Sequence, residues 1–321
     1  MAKAAVLIAV YNGADFIADA VKSALNQTIE PEVIVVDDCS TDATVAIAEA
    51  AGAGSSRLTV VRQPVNQGPG AARNRALDLA TADWVTVLDA DDRMAPDRLE
   101  RLFAFAESGG WDMVADDIKR VTDWSALHNY RRQWREQDIG EIDVSFEFFV
   151  RENHRDICGE ARELGFLKPL MRRSALEASG LRYNEAMRLG EDYDLYARAL
   201  LEGQRFLVVD PLGYFAFDTP GSLSKSHSVS ALEQVYRADQ TLLDHPAITP
   251  AGRKAVLAHR QLTHRKWAWA RLIEAVGERN LKEAALCFLA PPHVIGVLVS
   301  GVFDHFFDPN HPRRAKPASA P

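Results

Sequence analysis

Through its first 90 residues the chain sets short, unbroken apolar runs between polar turns. Residues 4–10, 32–36, 58–61 and 84–88 have the length and flanks of buried strands. Between the first two, Phe16, Ile17, Ala20, Val21, Ala24 and Leu25 recur at helical spacing, and residues 43–51 and 71–80 read as two more helices. Residues 63–70, with Pro64, Asn66, Gly68, Pro69 and Gly70, read as a loop. This alternation predicts right-handed βαβ units, hence an α/β fold with a mostly parallel sheet covered by helices on both faces.

The pattern then loosens. A helix is expected over 96–106, with Pro96 in its first turn, and a strand over 113–115. Residues 121–165, rich in Trp, Arg and Glu, read as an insertion. A helix is expected over 170–178, stopped by Gly180, and another from Gly190 to about Leu201. A strand over 206–209 and a loop at Thr219-Pro220-Gly221-Ser222 follow, and the remainder reads as helical. The implied organisation is a domain over 1–240, with halves at 1–110 and 111–240, a helical extension over 241–310, and a disordered tail over 311–321.

Composition narrows the function classes. The 47% hydrophobic and 26% charged content of this 321-residue chain is that of a globular protein. A net charge of −8 argues against nucleic acid as a partner. Cys39, Cys158 and Cys287 have no paired spacing, so neither a disulfide framework nor a zinc site is expected, and a reducing cytoplasm fits. The opening apolar run is too short for a signal peptide, and no uninterrupted apolar stretch reaches spanning length. The first turn lacks Gly-x-Gly-x-x-Gly, and no P-loop motif occurs.

The chemistry concentrates where the fourth strand ends, in Leu88-Asp89-Ala90-Asp91-Asp92. Open α/β sheets bind ligands beyond the carboxyl ends of their strands. Three crowded carboxylates repel one another unless a cation neutralises them, and hard oxygen ligands suit Mg²⁺ or Mn²⁺ shared with a substrate phosphate. A solvated turn capping the next helix is the competing reading.

Four motifs lie in order before and at this point: Ala9-Val10-Tyr11-Asn12, Val35-Val36-Asp37-Asp38-Cys39-Ser40, Asn66-Gln67-Gly68-Pro69-Gly70-Ala71-Ala72-Arg73-Asn74, and the acid cluster. Together they resemble the family 2 glycosyltransferases of the GT-A fold. Gly190-Glu191-Asp192 falls where that family carries its catalytic acid motif. The run from Gly165-Phe166-Leu167-Lys168-Pro169-Leu170 to Gly190-Glu191-Asp192-Tyr193-Asp194-Leu195 resembles the bacterial succinoglycan-type exopolysaccharide glycosyltransferases.

The resemblance implies roles for particular residues. Ala9, Tyr11 and Asp38 would hold the uracil and ribose of a UDP-sugar, Ala9 through its backbone, Tyr11 as a π-face and Asp38 as an acceptor. A packed turn and a helix cap are the alternatives for Tyr11 and Asp38. Arg73 would lie near the donor diphosphate, against the alternative of a solvated helix charge. Asp89 would contact the donor or share the metal, Asp91 would bind the metal, and Asp92 would do either or cap a turn. His227 would be a further metal ligand or an exposed loop residue. Asp192 would be the catalytic base, with Glu191 orienting the acceptor or supporting the first helical turn.

The expected activity is therefore an inverting, Mn²⁺- or Mg²⁺-dependent hexosyl transfer. The donor would be a UDP-hexose and the acceptor a lipid-linked oligosaccharide of an exopolysaccharide or other surface glycan. Two rivals stand beside it: a sugar-1-phosphate nucleotidyltransferase, which needs a basic glycine-rich loop after the first strand, and a non-catalytic scaffold of a glycan-assembly complex. In the extension, Leu262, Trp269, Ile273 and Val276 form a stripe with His264, Arg265, Lys266, Trp267 and Arg271 largely off it, and Pro291-Pro292-His293 divides the apolar stretch 284–307 into two short helices. Peripheral attachment to the inner face of the cell membrane and a hairpin packed on the catalytic domain both fit this pattern.

Overall fold

The computed structural model describes residues 3–153, 163–217 and 228–307. Its first half follows the apolar pattern closely. Strands β1 (Ala4–Val10), β2 (Glu32–Asp37), β3 (Leu58–Arg62) and β4 (Trp84–Val87) alternate with helices α1 (Ile17–Leu25), α2 (Thr44–Ala51) and α3 (Pro69–Leu79). These four strands pair in parallel in the order β3-β2-β1-β4. Val10 faces Asp37 and Leu7 faces Val87, so the turns that begin at Tyr11, Asp38 and Leu88 emerge along one edge.

The sheet then turns mixed. Strands β6 (Met113–Asp116) and β11 (Phe206–Val209) are parallel to each other, whereas β10 (Leu170–Arg172) runs antiparallel between β4 and β6. Strand β9 (Glu141–Asp143) closes the far edge, giving eight strands in the order β3-β2-β1-β4-β10-β6-β11-β9. A second sheet, β5-β12-β7-β8, is built from β5 (Arg93–Met94), β7 (Lys119–Val121), β8 (Arg131–Arg132) and β12 (Tyr214–Phe217). Helices α4 (Arg98–Gly109), α5 (Phe146–Arg151), α6 (Arg173–Ala178) and α7 (Glu191–Leu201) complete this half.

Two sequence expectations need correction here. Residues 170–178 are not one helix: Leu170 and Met171 are fully buried and complete the ladder between β4 and β6 before α6 begins. Ladder pairing on both sides outweighs the helical spacing of so short a run. Strand β12 was not expected at all. It is only four residues long, and its register with β7 and β5 is set by partners distant in sequence.

The extension holds α8 (Val229–Leu243), α9 (Pro250–Gly277), α10 (Leu281–Leu286) and α11 (Pro292–Phe307). The expected domain limit at 240 therefore falls inside a helix. Leu242, Leu243, Ala255 and Val256 are buried in the main core, while Ala268, Leu272, Cys287, Val294 and Leu298 form a smaller second core. For α8 and the first half of α9 the packed arrangement is the one found. Part of the off-stripe face of α9 is also engaged within the extension: Arg271 pairs with Glu283, Arg265 Nε donates to the His293 carbonyl at 3.0 Å, and Trp267 stacks on Tyr236 with 5.5 Å between ring centroids, whereas Lys266 is exposed. The tail 311–321 lies outside the described residues. No helix among the described residues is long and apolar enough to cross a membrane.

Candidate active site

The turns after β1 and β2 are tied to each other. Asn12 N–H donates to Ser40 Oγ at 2.8 Å, and Thr41 N–H donates to Asn12 Oδ1 at 2.8 Å. Both turns use left-handed backbone, with φ of 50° at Asn12 and 68° at Cys39. The tie leaves Tyr11 half exposed at the mouth of a cavity of about 640 Å³. Ala9, Tyr11, Arg73, Asp89, Asp91, Glu191 and Asp192 all line that cavity.

Asp38 does not line it. Its Oδ1 accepts from the Gln67 amide and from Gln63 Nε2, both at 2.8 Å, and its Oδ2 accepts from the Gly68 amide at 2.7 Å. The carboxylate thus braces the loop that leads into α3. Gly68 is required there: its φ is +99°, and a Cβ would lie 2.6 Å from the Arg188 guanidinium.

Pro69 opens α3, and one turn later Arg73 points across the cavity floor. Its Nη2 lies 2.9 Å from Asp89, and its Nη1 lies 2.5 Å from Glu191 and 3.1 Å from Asp192. The guanidinium therefore joins the strand-tip acids to the acid motif of α7, and is engaged by three carboxylates instead of standing open to a diphosphate. Burial opposes its charge, but Asp192, Glu191 and Asp89 outweigh that cost and raise its pKa well above the ordinary value.

A second buried cation makes a parallel bridge. Lys168 Nζ lies 2.7 Å from Asp192 and 3.0 Å from Asp89. Burial works against ionised Asp89, yet Lys168 and Arg73 together hold its carboxyl below the usual range. With one oxygen on Arg73 and the other on Lys168, Asp89 is spoken for within the protein. Glu191 goes the other way: burial raises its pKa despite Arg73.

Asp92 is also engaged. It accepts from the Tyr214 hydroxyl at 2.8 Å and from the Phe217 amide at 3.2 Å, so β12 is what it holds. Asp91 differs from both neighbours. Its half-buried carboxylate has no hydrogen-bond or ion-pair partner in another described residue, and burial together with Asp89 raises its pKa. A carboxylate in a cavity wall without a partner among the described residues fits a cation that takes its remaining ligands from substrate phosphate and water. No cluster of three or more candidate metal ligands occurs among the described residues. His227, the other expected ligand, lies outside them.

The helix α7 begins at Gly190, which adopts φ 73°, and carries Glu191 and Asp192 into the cavity on its first turn. Asp194 faces inward to Arg198 at 2.6 Å. Behind α7, the Tyr193 hydroxyl donates to Asp239 of α8 at 3.1 Å, and His259 of α9 contacts the same carboxylate at 2.8 Å. His259, Thr263 and Lys266 of α9 and Leu232 and Val235 of α8 form the far wall of the cavity. That wall and Lys168 escaped the sequence reading. The signal available for Lys168 was a lysine set between Leu167 and Pro169 at the start of a buried strand.

The mixed sheet, with acid motifs from a strand tip and a helix start meeting across one cavity, defines a GT-A-type glycosyltransferase. The glycosyl transferase family 2 model matches residues 5–177, and the chain belongs to that family. It is 37% identical over 297 residues to the succinoglycan biosynthesis protein ExoU of Rhizobium meliloti, covering 92% of this chain and 86% of the relative. Among solved structures it is similar to S. aureus TarS residues 1–349 in complex with UDP-GlcNAc, with a TM-score of 0.69 at 22% identity over 94% of this chain and 91% of that one. It is also similar to the mannosyltransferase PcManGT of Pyrobaculum calidifontis in complex with GDP-Man and Mn²⁺, with a TM-score of 0.57 at 18% identity over 96% and 88% of the two chains. Family membership makes the chain a glycosyltransferase and sets aside the nucleotidyltransferase and scaffold readings.

Proposed function

We propose that this enzyme is an inverting, metal-dependent hexosyltransferase that passes sugar from a UDP-linked donor to a lipid-linked oligosaccharide during exopolysaccharide synthesis. The observation that carries the reading is the meeting of Asp192, at the start of α7, with the strand-tip acids in a single cavity. ExoU, as a named succinoglycan biosynthesis protein, supports the pathway class, and the UDP-GlcNAc in TarS supports the donor class.

In this reading Tyr11 and the Ala9 backbone receive the base and ribose at the open end of β1. Asp91 is the residue that would hold Mg²⁺ or Mn²⁺, which supplies positive charge for the departing diphosphate when bound. Asp192 accepts the proton of the acceptor hydroxyl. The acceptor oxygen then forms a bond to the anomeric carbon as the bond from that carbon to the phosphate oxygen breaks, and the electron pair leaves with UDP. Attack opposite the leaving group inverts the anomeric configuration. Glu191 sets Arg73 in place beside Asp192 and orients the acceptor.

The exposed apolar side chains Leu281, Leu286, Leu289, Val299 and Phe303 support attachment through α10 and α11 to the inner face of the cytoplasmic membrane. The transfer reading is tested with Asp192→Asn. The amide keeps the shape and loses the base, so release of UDP should slow by roughly 10²-fold or more while UDP binding persists. NMR of the wild-type product should show the anomeric configuration opposite to the donor's. Near-wild-type transfer by Asp192→Asn, or retained configuration, would sink the assignment.

A further inference from the structure

We propose that Lys168 is a positioning residue for glycosyl transfer, holding the Asp192 carboxylate toward the cavity and coupling it to Asp89 at the tip of β4. The proposal rests on the reading of Asp192 as proton acceptor.

The geometry is unusual for a lysine. Its side chain is only 5% exposed, and its ammonium sits between two carboxylates from distant parts of the chain, 2.7 Å from Asp192 and 3.0 Å from Asp89. Its backbone is fixed as firmly as its head. The fully buried Arg98 donates to the Lys168 carbonyl at 2.6 Å, and Thr86 of β4 donates to the same oxygen at 3.4 Å. Arg98 is in turn held by Asp116 at 2.8 Å. Pro169 restricts the preceding residue to extended backbone. A lysine that serves only to fill space has no need of this support.

Charge balance says what the ammonium does. Asp89, Glu191 and Asp192 are offset by Arg73 and Lys168. Without Lys168, three carboxylates share one guanidinium, and that guanidinium is nearer to Glu191, at 2.5 Å, than to Asp192, at 3.1 Å. Asp192 would lose the partner of its second oxygen, and only Arg73 at the first would still hold its carboxylate. Arg73 would still bridge the donor side to α7, so the frame of the site would remain. The loss should therefore fall on the placement of the base, hence on kcat, and not on donor binding.

The test compares Lys168→Met and Lys168→Arg with wild type, reading kcat and donor KM from nucleoside diphosphate release. Wild type is first run with both UDP- and GDP-linked hexoses. Turnover from the GDP donors alone would overturn the UDP assignment, and the Lys168 comparison would then run on that donor. Lys168→Met should lose about 10-fold or more in kcat and keep its KM for donor. Lys168→Arg, which keeps a cation between the two carboxylates, should restore most of that kcat. A loss confined to donor KM, an unchanged kcat in Lys168→Met, or a Lys168→Arg variant as slow as Lys168→Met would each overturn the proposal. Full activity in Asp192→Asn would overturn the reading beneath it.

Discussion

Arg98 donates to the carbonyl oxygen of Lys168 at 2.6 Å, so a guanidinium with no solvent exposure holds the backbone whose side chain reaches the acid motif. Asp116 completes the link. One of its oxygens pairs with Arg98, and the other accepts the amides of Leu212 and Gly213 at 2.9 Å and of Tyr214 at 3.3 Å. The Tyr214 hydroxyl then reaches Asp92 at 2.8 Å. One buried ion pair thereby sets both the lysine and the tyrosine that organise the strand-tip acids.

Arg98→Met should be the most damaging substitution to the fold. It leaves Asp116 as a buried carboxylate without its counter-ion, a change that costs about 3–5 kcal/mol. Urea denaturation read by circular dichroism measures it. A loss below about 1 kcal/mol would show that the three backbone amides alone satisfy Asp116.

Asp91→Ala should leave stability within about 0.5 kcal/mol of wild type, since the carboxylate has no partner among the described residues to lose. Its effect should fall on UDP binding measured in the presence of Mn²⁺. Isothermal titration giving the wild-type affinity in the variant would remove Asp91 from the metal site.

Asp117 should make stability depend on pH. It accepts amide hydrogens from Ile118, Trp134 and Arg135, but burial outweighs them and raises its pKa from 3.8 to about 6. The folded state then holds more protons than the unfolded state between those two values. Stability should fall as pH rises through that window, by at most about 3 kcal/mol, and the loss should be complete above it. Chemical denaturation across the window checks this for wild type and Asp117→Asn. An identical slope in both proteins would free Asp117 of the effect.

Glutamate at Leu289, Val299 and Phe303 tests attachment. These side chains are exposed, while Val294 and Leu298 of the same region face the second core. The triple variant should keep its circular dichroism spectrum and stop sedimenting with anionic vesicles. Equal sedimentation of variant and wild type would count against this face.

The sequence made the first 90 residues legible because each strand there is a single apolar run that stops at a polar turn. The family resemblance singled out Tyr11, Arg73, Asp91, Glu191 and Asp192, and the structure places all five around one cavity. It could not foresee Lys168, because the residue's role depends on two carboxylates that lie 79 positions before it and 24 positions after it. For Asp38 the motif gave the position but not the local hydrogen bonding, which turns the carboxylate toward Gln67 and Gly68. Short strands such as β10 and β12 carry too few residues for a period, and their partners are remote. In α9 the helical period was legible, but the rotation of the helix was set by α8, α10 and α11, which engage Arg265, Trp267 and Arg271.

Helix α9 runs for 28 residues, which at the α-helical rise makes a rod about 42 Å long. Its first half belongs to the core of the catalytic domain and its second half to the smaller core of the extension. A rigid rod replaces the pliable linker that joins separable modules, so the extension is not interchangeable cargo. A chimera that exchanged everything after 240 would break α8 and remove the wall formed by His259, Thr263 and Lys266. The joint that respects both cores and the cavity wall lies within α9 itself, between Lys266 and Ala268, and a splice there in helical phase would transplant the exposed apolar surface of the extension without dismantling the enzyme.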